Sequence, residues 1–396
     1  MNYRFENGAI VAYGKLCEEA VYDVSNNRFG ATFNGRGAAI RYMRANKETI
    51  NLDFHNFVNI CYNGVIQDVL LDKEVYMKGR SQTVKIDLKT AVLEIELFLT
   101  KQENGIFMTH RLITENKHDT VEIRLTGYVS KQAGRVDSRT VAEGEAIFRA
   151  DRDILFIKEN SAIGFTLDCE NPQINMIYAY EESITDIETN LKNFITLKAA
   201  LKEEMDNIKL PSNLDEREKA LFYSAYYCAL QNFKDFGEYK GFMAGCNYLY
   251  PIRTYYRDSY FTVLSMYNGN LDKVRAQICT LARGIGKDGT CPSAVKSDWS
   301  AWWGDHFDSP SFLAMMLFDY IKFTGDIAFA DTVVDESTVF EKAVKAIGAL
   351  SKRADKTGLL YKEGIYNKRD WADEVNRYGY VTYDEILYAR ALYSIA

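Results

Sequence analysis

Val84-Lys85-Ile86-Asp87-Leu88 and Val92-Leu93-Glu94-Ile95-Glu96-Leu97 decide the first half of the fold. Apolar and charged residues alternate in both, so an extended chain would present one apolar face and one wetted face, which predicts half-buried strands. Val121-Glu122-Ile123-Arg124-Leu125 repeats the pattern. Breaks such as Glu103-Asn104-Gly105 and Glu115-Asn116-Lys117-His118-Asp119 separate these stretches, with no helical crossover between them. Parallel pairing needs such crossovers, so the strands are expected to pair antiparallel in a sandwich over 1–180.

Around residue 181 the pattern turns acidic and helical, through Leu201-Lys202-Glu203-Glu204-Met205-Asp206 to the stop at Pro211. This predicts a linker helix region over 181–211. Beyond it, six helices are expected at about 213–234, 256–268, 270–284, 309–324, 336–354 and 380–396. The fold class is therefore multidomain α and β, with an all-α domain over 212–396. Short turns such as Asn268-Gly269-Asn270 alternate with long loops, 285–308 and 355–379, rich in Gly, Trp and acidic residues. Loops of that length in a compact domain are usually functional.

A chain of 396 residues can bury a large core. With 48 Lys+Arg against 55 Asp+Glu, its net charge of -7 disfavours a nucleic-acid partner. No apolar run approaches the roughly 18 residues of a membrane span, and Met1-Asn2-Tyr3-Arg4-Phe5-Glu6 lacks the apolar core of a secretory signal. The seven cysteines are scattered and never form C-x-x-C, which fits reduced thiols in a cytoplasmic protein. Four histidines without ligand spacing argue against a metal or Ser-His-Asp centre. Gly284-Ile285-Gly286-Lys287-Asp288-Gly289 matches G-x-G-x-x-G but follows a helix, so it reads as a helix end and turn, and no cofactor is expected.

Aromatic content is the informative signal: 27 Tyr, 22 Phe and four Trp, all four beyond residue 298. Three segments mix carboxylates with aromatics: Tyr255-Tyr256-Arg257-Asp258-Ser259-Tyr260, Trp302-Trp303-Gly304-Asp305-His306-Phe307-Asp308-Ser309-Pro310 and Arg369-Asp370-Trp371-Ala372-Asp373-Glu374-Val375-Asn376. If the helices pair antiparallel, these loops fall at one end of the domain, where carboxylates, an arginine and tryptophans suit sugar hydroxyls and ring faces.

These segments resemble the six-hairpin (α/α)6-barrel glycosidases, closest to the family 15 glucoamylases. Trp371-Ala372-Asp373-Glu374-Val375-Asn376 resembles W-E-E-V-N, Tyr256-Arg257-Asp258-Ser259 resembles W-T-R-D-S, and Trp303-Gly304 with Asp308 and Pro310 resembles W-G-x-x-x-x-D-G-P, one residue shorter. Their order and their intervals, about 45 and about 70 residues, also match. The resemblance implies an exo-acting, inverting hydrolase of α-linked glucosides on oligosaccharide or polysaccharide substrates. Asp373 is its general acid, Glu374 the neighbouring substrate-contacting carboxylate, Arg257 and Asp258 the sugar-gripping pair, and Trp303 the stacking platform, with Trp302 and Trp371 beside it.

Asp373 stands where the family has Glu, as trehalases of the same superfamily do. The same residues would also suit a solvated acidic turn, a helix-start ion pair capped by Asp258, and core tryptophans. Asp308, just ahead of Ser309 and Pro310, reads as an N-cap and not as a catalytic group. An inverting mechanism needs a base roughly 6.5–9.5 Å from the acid, which the family supplies late in its barrel. Six helices in the 185 residues after Pro211 make half a barrel, so the base is expected outside this chain and association through the incomplete barrel becomes a reading. A phosphorylase of the same layout and a non-catalytic carbohydrate-binding protein are the alternatives.

Overall fold

The alternating stretches form strands in the computed structural model, which describes residues 2–15, 21–35, 39–45, 48–50, 57–67, 71–245, 252–363 and 377–396. Every strand pair among the described residues is antiparallel. Ten strands make the largest sheet, ordered Asn2–Glu6, Ala9–Tyr13, Lys73–Lys78, Ser81–Asp87, Val92–Phe98, Gly105–Ile113, Gln173–Tyr180, Ala146–Ala150, Thr140–Glu143 and Gly134–Asp137. A five-stranded sheet around Val121–Thr126 and a four-stranded sheet that includes Val21–Ser25 and Phe29–Asn34 share one apolar core with it. Val84 and Ile95 meet in that core as register partners. This is the expected antiparallel β-rich N-terminal region.

Residues 181–211 hold two helices, α1 (Ile184–Lys192) and α2 (Phe194–Asp206), followed by α3 (Glu216–Gln231). Ile187, Phe194, Leu201, Met205, Tyr223 and Tyr227 from these helices pack with Phe98, Phe107, Ile177 and Ala179 in a second core. The strand Gly105–Ile113 therefore carries apolar side chains into both cores, which is why its sequence loses the alternation. The sheets and α1–α3 make one compact unit, Met1–Gln231.

His110 lies in the row Val84, Ile95, His110, Ile174 of the large sheet, with neither ring nitrogen hydrogen-bonded among the described residues and the Phe165 ring edge-on at 5.1 Å. Burial pushes its pKa down to about 3, so the native imidazole stays neutral while the unfolded one protonates below about 6.5. The stabilisation is full above that pH and declines as pH falls toward 3, by up to about 1.4 kcal/mol per pH unit. Urea unfolding followed by far-ultraviolet circular dichroism should therefore give a flatter stability profile between pH 6.5 and 4 for His110→Leu than for the wild type. Equal slopes would refute this.

The second unit, Asn232–Ala396, contains α4 (Tyr256–Met266), α5 (Leu271–Arg283), α6 (Ser309–Thr324), α7 (Val339–Ser351) and α8 (Thr382–Ile395). Sequence and structure agree on these helices to within a few residues at each end. α6 packs between α4 and α8, while α5 and α7 pack against each other and over α6. The nine residues Ser309–Leu317 at the start of α6 are all buried, as its nearly unbroken apolar sequence requires. Thr338 and Glu341 close a capping box on α7, and Gly325 ends α6 in the left-handed conformation.

The turns after α5 and α7 repeat one device. Asp288 Oδ1 accepts from the backbone N–H and hydroxyl of Thr290, and Asp355 Oδ1 does the same for Thr357. The glycine-rich segment after α5 is thus a turn, and its Gly289 has φ +91° with the place of a Cβ only 2.5 Å from Lys345 O on α7. Only glycine fits there, so the turn can seat against the neighbouring helix.

Candidate active site

Arg257 stands in the first turn of α4, Asp308 at the start of α6 and Tyr383 in the first turn of α8, so the N-terminal ends of three adjacent helices meet at one carboxylate. Asp308 Oδ1 lies 2.7 Å from His306 Nδ1, and Oδ2 accepts from Arg257 Nη1 at 3.3 Å and from the Tyr383 hydroxyl at 3.1 Å. An ionised carboxylate can only accept, so Nδ1 of His306 carries the proton. Burial by itself would raise the Asp308 pKa, but the His306 hydrogen bond, the His306 and Arg257 charges and the Tyr383 hydroxyl outweigh it and hold the carboxyl below its ordinary value. Burial and the adjacent Asp308 charge push the Tyr383 phenol up.

Asp308 has the position that the sequence reading gives it, but not the side-chain role of a cap. It occupies the N-cap position of α6, yet its backbone is helical (φ -87°, ψ -26°), its side chain makes no capping bond, and its carboxylate is 1 % exposed. Pro310 fills the first turn, where a missing N–H costs nothing, and this frees the aspartate to turn inward. Asp258 is not a cap either: Tyr255 holds that position. The Asp258 side chain is half-buried, beside Arg257, and takes no hydrogen bond among the described residues.

A three-stranded sheet, Arg253–Tyr255, Ala294–Lys296 and Ala301–Trp302, leads directly into α4. Tyr256 N–H donates to Ser293 O, and Ser293 N–H donates to Trp303 O, so the first two motif segments are joined through one residue. The Arg253 guanidinium lies 4.2 Å over the Trp302 ring, and Trp302 and Trp303 stack with centroids 6.0 Å apart at 26°. Trp303 is half-exposed with φ +45°, a strained conformation for a bulky residue of the kind that clusters at functional sites. Asp373, Glu374 and Trp371 lie outside the described residues.

Two further cations flank the carboxylate cluster. Arg353 pairs with Asp305, and Lys362 pairs with Asp384 at 2.7 Å. Both stand over the Phe307 ring, at 4.7 and 4.9 Å. Lys362 also exchanges two backbone hydrogen bonds with Gly379. His306 stands inside one of the three motif segments, whereas Lys362, Tyr383 and Asp384 lie outside all of them.

No family model matches the chain, and no curated protein matches it in sequence. Among solved structures, a bacterial glucoamylase complexed with acarbose superposes with a TM-score of 0.52 at 11% identity, over 91% of this chain. The fold is glucoamylase-like. The chain spans 61% of that glucoamylase. A family GH92 α-mannosidase from Bacteroides thetaiotaomicron, at TM-score 0.29 and 10% identity, covers 88% of this chain and 54% of its own. The periplasmic domain of Thermotoga maritima YidC, at TM-score 0.31 and 11% identity, covers 51% of this chain and 98% of its own. Both scores are too low to carry an argument. The glycosidase-like fold rests on the first, and no helix among the described residues is long and apolar enough to cross a membrane.

Proposed function

We propose that the chain is the saccharide-handling part of a glycoside hydrolase of glucoamylase type, exo-acting and inverting on α-linked glucosides, with 212–396 as the first half of its barrel. One observation carries this reading. Among the described residues, Arg257 is paired with Asp308, and Arg353 and Lys362, which follow α7, are paired with Asp305 and Asp384, while Asp258 beside Arg257 is not hydrogen-bonded. Such a surface favours a neutral polyol over a phosphate or carboxylate ligand, and Trp303 offers a half-exposed ring beside it. Arg257 and Asp258 take sugar hydroxyls, Trp303 takes a ring face with Trp302 and Trp371 nearby, Asp373 is the general acid and Glu374 its substrate-contacting neighbour. The base is drawn from outside these residues, in keeping with the greater length of the matched glucoamylase. The five described cysteines are unpaired, which suits a reducing cytoplasm.

The test is calorimetry of maltotriose against the 396-residue chain, together with product analysis on the protein from its natural source. Saturable binding and release of β-glucose are expected. Release of a sugar 1-phosphate that depends on phosphate would move the assignment to a phosphorylase, and binding without any product would make the protein a carbohydrate-binding one. No binding of any oligosaccharide would remove the saccharide reading altogether.

A further inference from the structure

We propose that Asp308 is a positioning residue, which holds the Arg257 guanidinium by one edge and leaves the rest of its fork for a ligand. The ligand class rests on the saccharide reading above; the positioning itself rests on geometry. A free carboxylate beside an arginine normally takes it bidentately, both oxygens against two N–H groups. Here only one such contact is made. His306 Nδ1 occupies Oδ1, and Oδ2 is shared between Arg257 Nη1 and the Tyr383 hydroxyl. Arg257 is therefore bound through a single nitrogen, and among the described residues no other protein acceptor takes its remaining donors.

The restraint is also stiff. His306 and Asp308 are 3 % and 1 % exposed, and the carboxylate is held from α4, α8 and its own loop. That loop is fixed on both sides of His306: Asp305 pairs with Arg353, and Phe307 packs under Arg353 and Lys362. A half-buried guanidinium fixed in this way has lost its rotamer freedom before the ligand arrives, which is how preorganisation adds to affinity.

Two measurements on the full chain decide the matter. In nitrogen-15 spectra, with Arg257→Lys used to assign the signal, the Arg257 guanidinium should rotate slowly in the wild type and freely in Asp308→Asn. Maltotriose binding should weaken about tenfold in Asp308→Asn and about threefold in Tyr383→Phe, as expected for losing a charged and then a single hydroxyl contact to the restraint. Tyr383→Phe removes one oxygen only and serves if Asp308→Asn does not fold. Unchanged Arg257 rotation, or unchanged affinity in folded variants, overturns the proposal. If the wild type binds no maltotriose, the saccharide reading falls and the guanidinium rotation alone decides the role of Asp308.

Discussion

Replacing Asp384 with alanine is expected to destabilise the helical unit by about 3–5 kcal/mol, a large share of the total stability of a unit this size. The Lys362 and Asp384 side chains are 1 % and 2 % exposed, and they meet at 2.7 Å beside the Phe307 ring. Removing the carboxylate leaves a buried ammonium without its Asp384 counter-charge. The cost is the stranded charge more than the lost attraction. It follows that the double replacement Lys362→Met with Asp384→Leu should recover most of the loss, because two apolar chains of similar volume need no solvation. All four tryptophans lie in this unit, so urea unfolding followed by tryptophan fluorescence reports on it separately. A single variant within about 1 kcal/mol of wild type would show that the pair is not dry.

The second large effect concerns chemistry. Asp373→Asn should lower saccharide turnover by about 10²–10⁴-fold, the usual contribution of a positioned general acid, because asparagine matches the shape of the acid but has no proton to give the leaving oxygen. The loss should shrink on a glycosyl fluoride, whose leaving group needs little protonation. Glu374→Gln should move the alkaline limb of the pH profile downward, since a general acid works protonated and, without a neighbouring negative charge, would ionise at lower pH. A loss of equal size on both substrates would mean that Asp373 acts through structure and that the acid lies elsewhere.

Much of the architecture was legible because it is written in local pattern. Period two marked Ser81–Asp87, Val92–Phe98 and Val121–Thr126, and the Ser-Pro start and Gly325 end marked α6 to the residue. The site was legible only where its residues stand in recognisable strings, as Arg257 and Trp303 do. For Asp308 the N-cap position was legible but the side chain's partners were not, because the preference of aspartate for N-caps is a local statistic while Arg257 and Tyr383 are 51 and 75 residues away. Lys362 and Asp384 look like ordinary surface charges in sequence, and only packing reveals that they are buried. The lone His110 is similar: nothing in Met108-Thr109-His110-Arg111 separates a core imidazole from a wetted one.

The pairing of Arg257, Arg353 and Lys362 with carboxylates among the described residues has a kinetic consequence. Paired charges a few ångströms apart cancel over distances beyond a Debye length, about 8 Å at physiological salt, so these three pairs add little net field at their end of the unit. They give an approaching ligand little electrostatic guidance. The association rate of a charged ligand should then owe little to these pairs at any ionic strength.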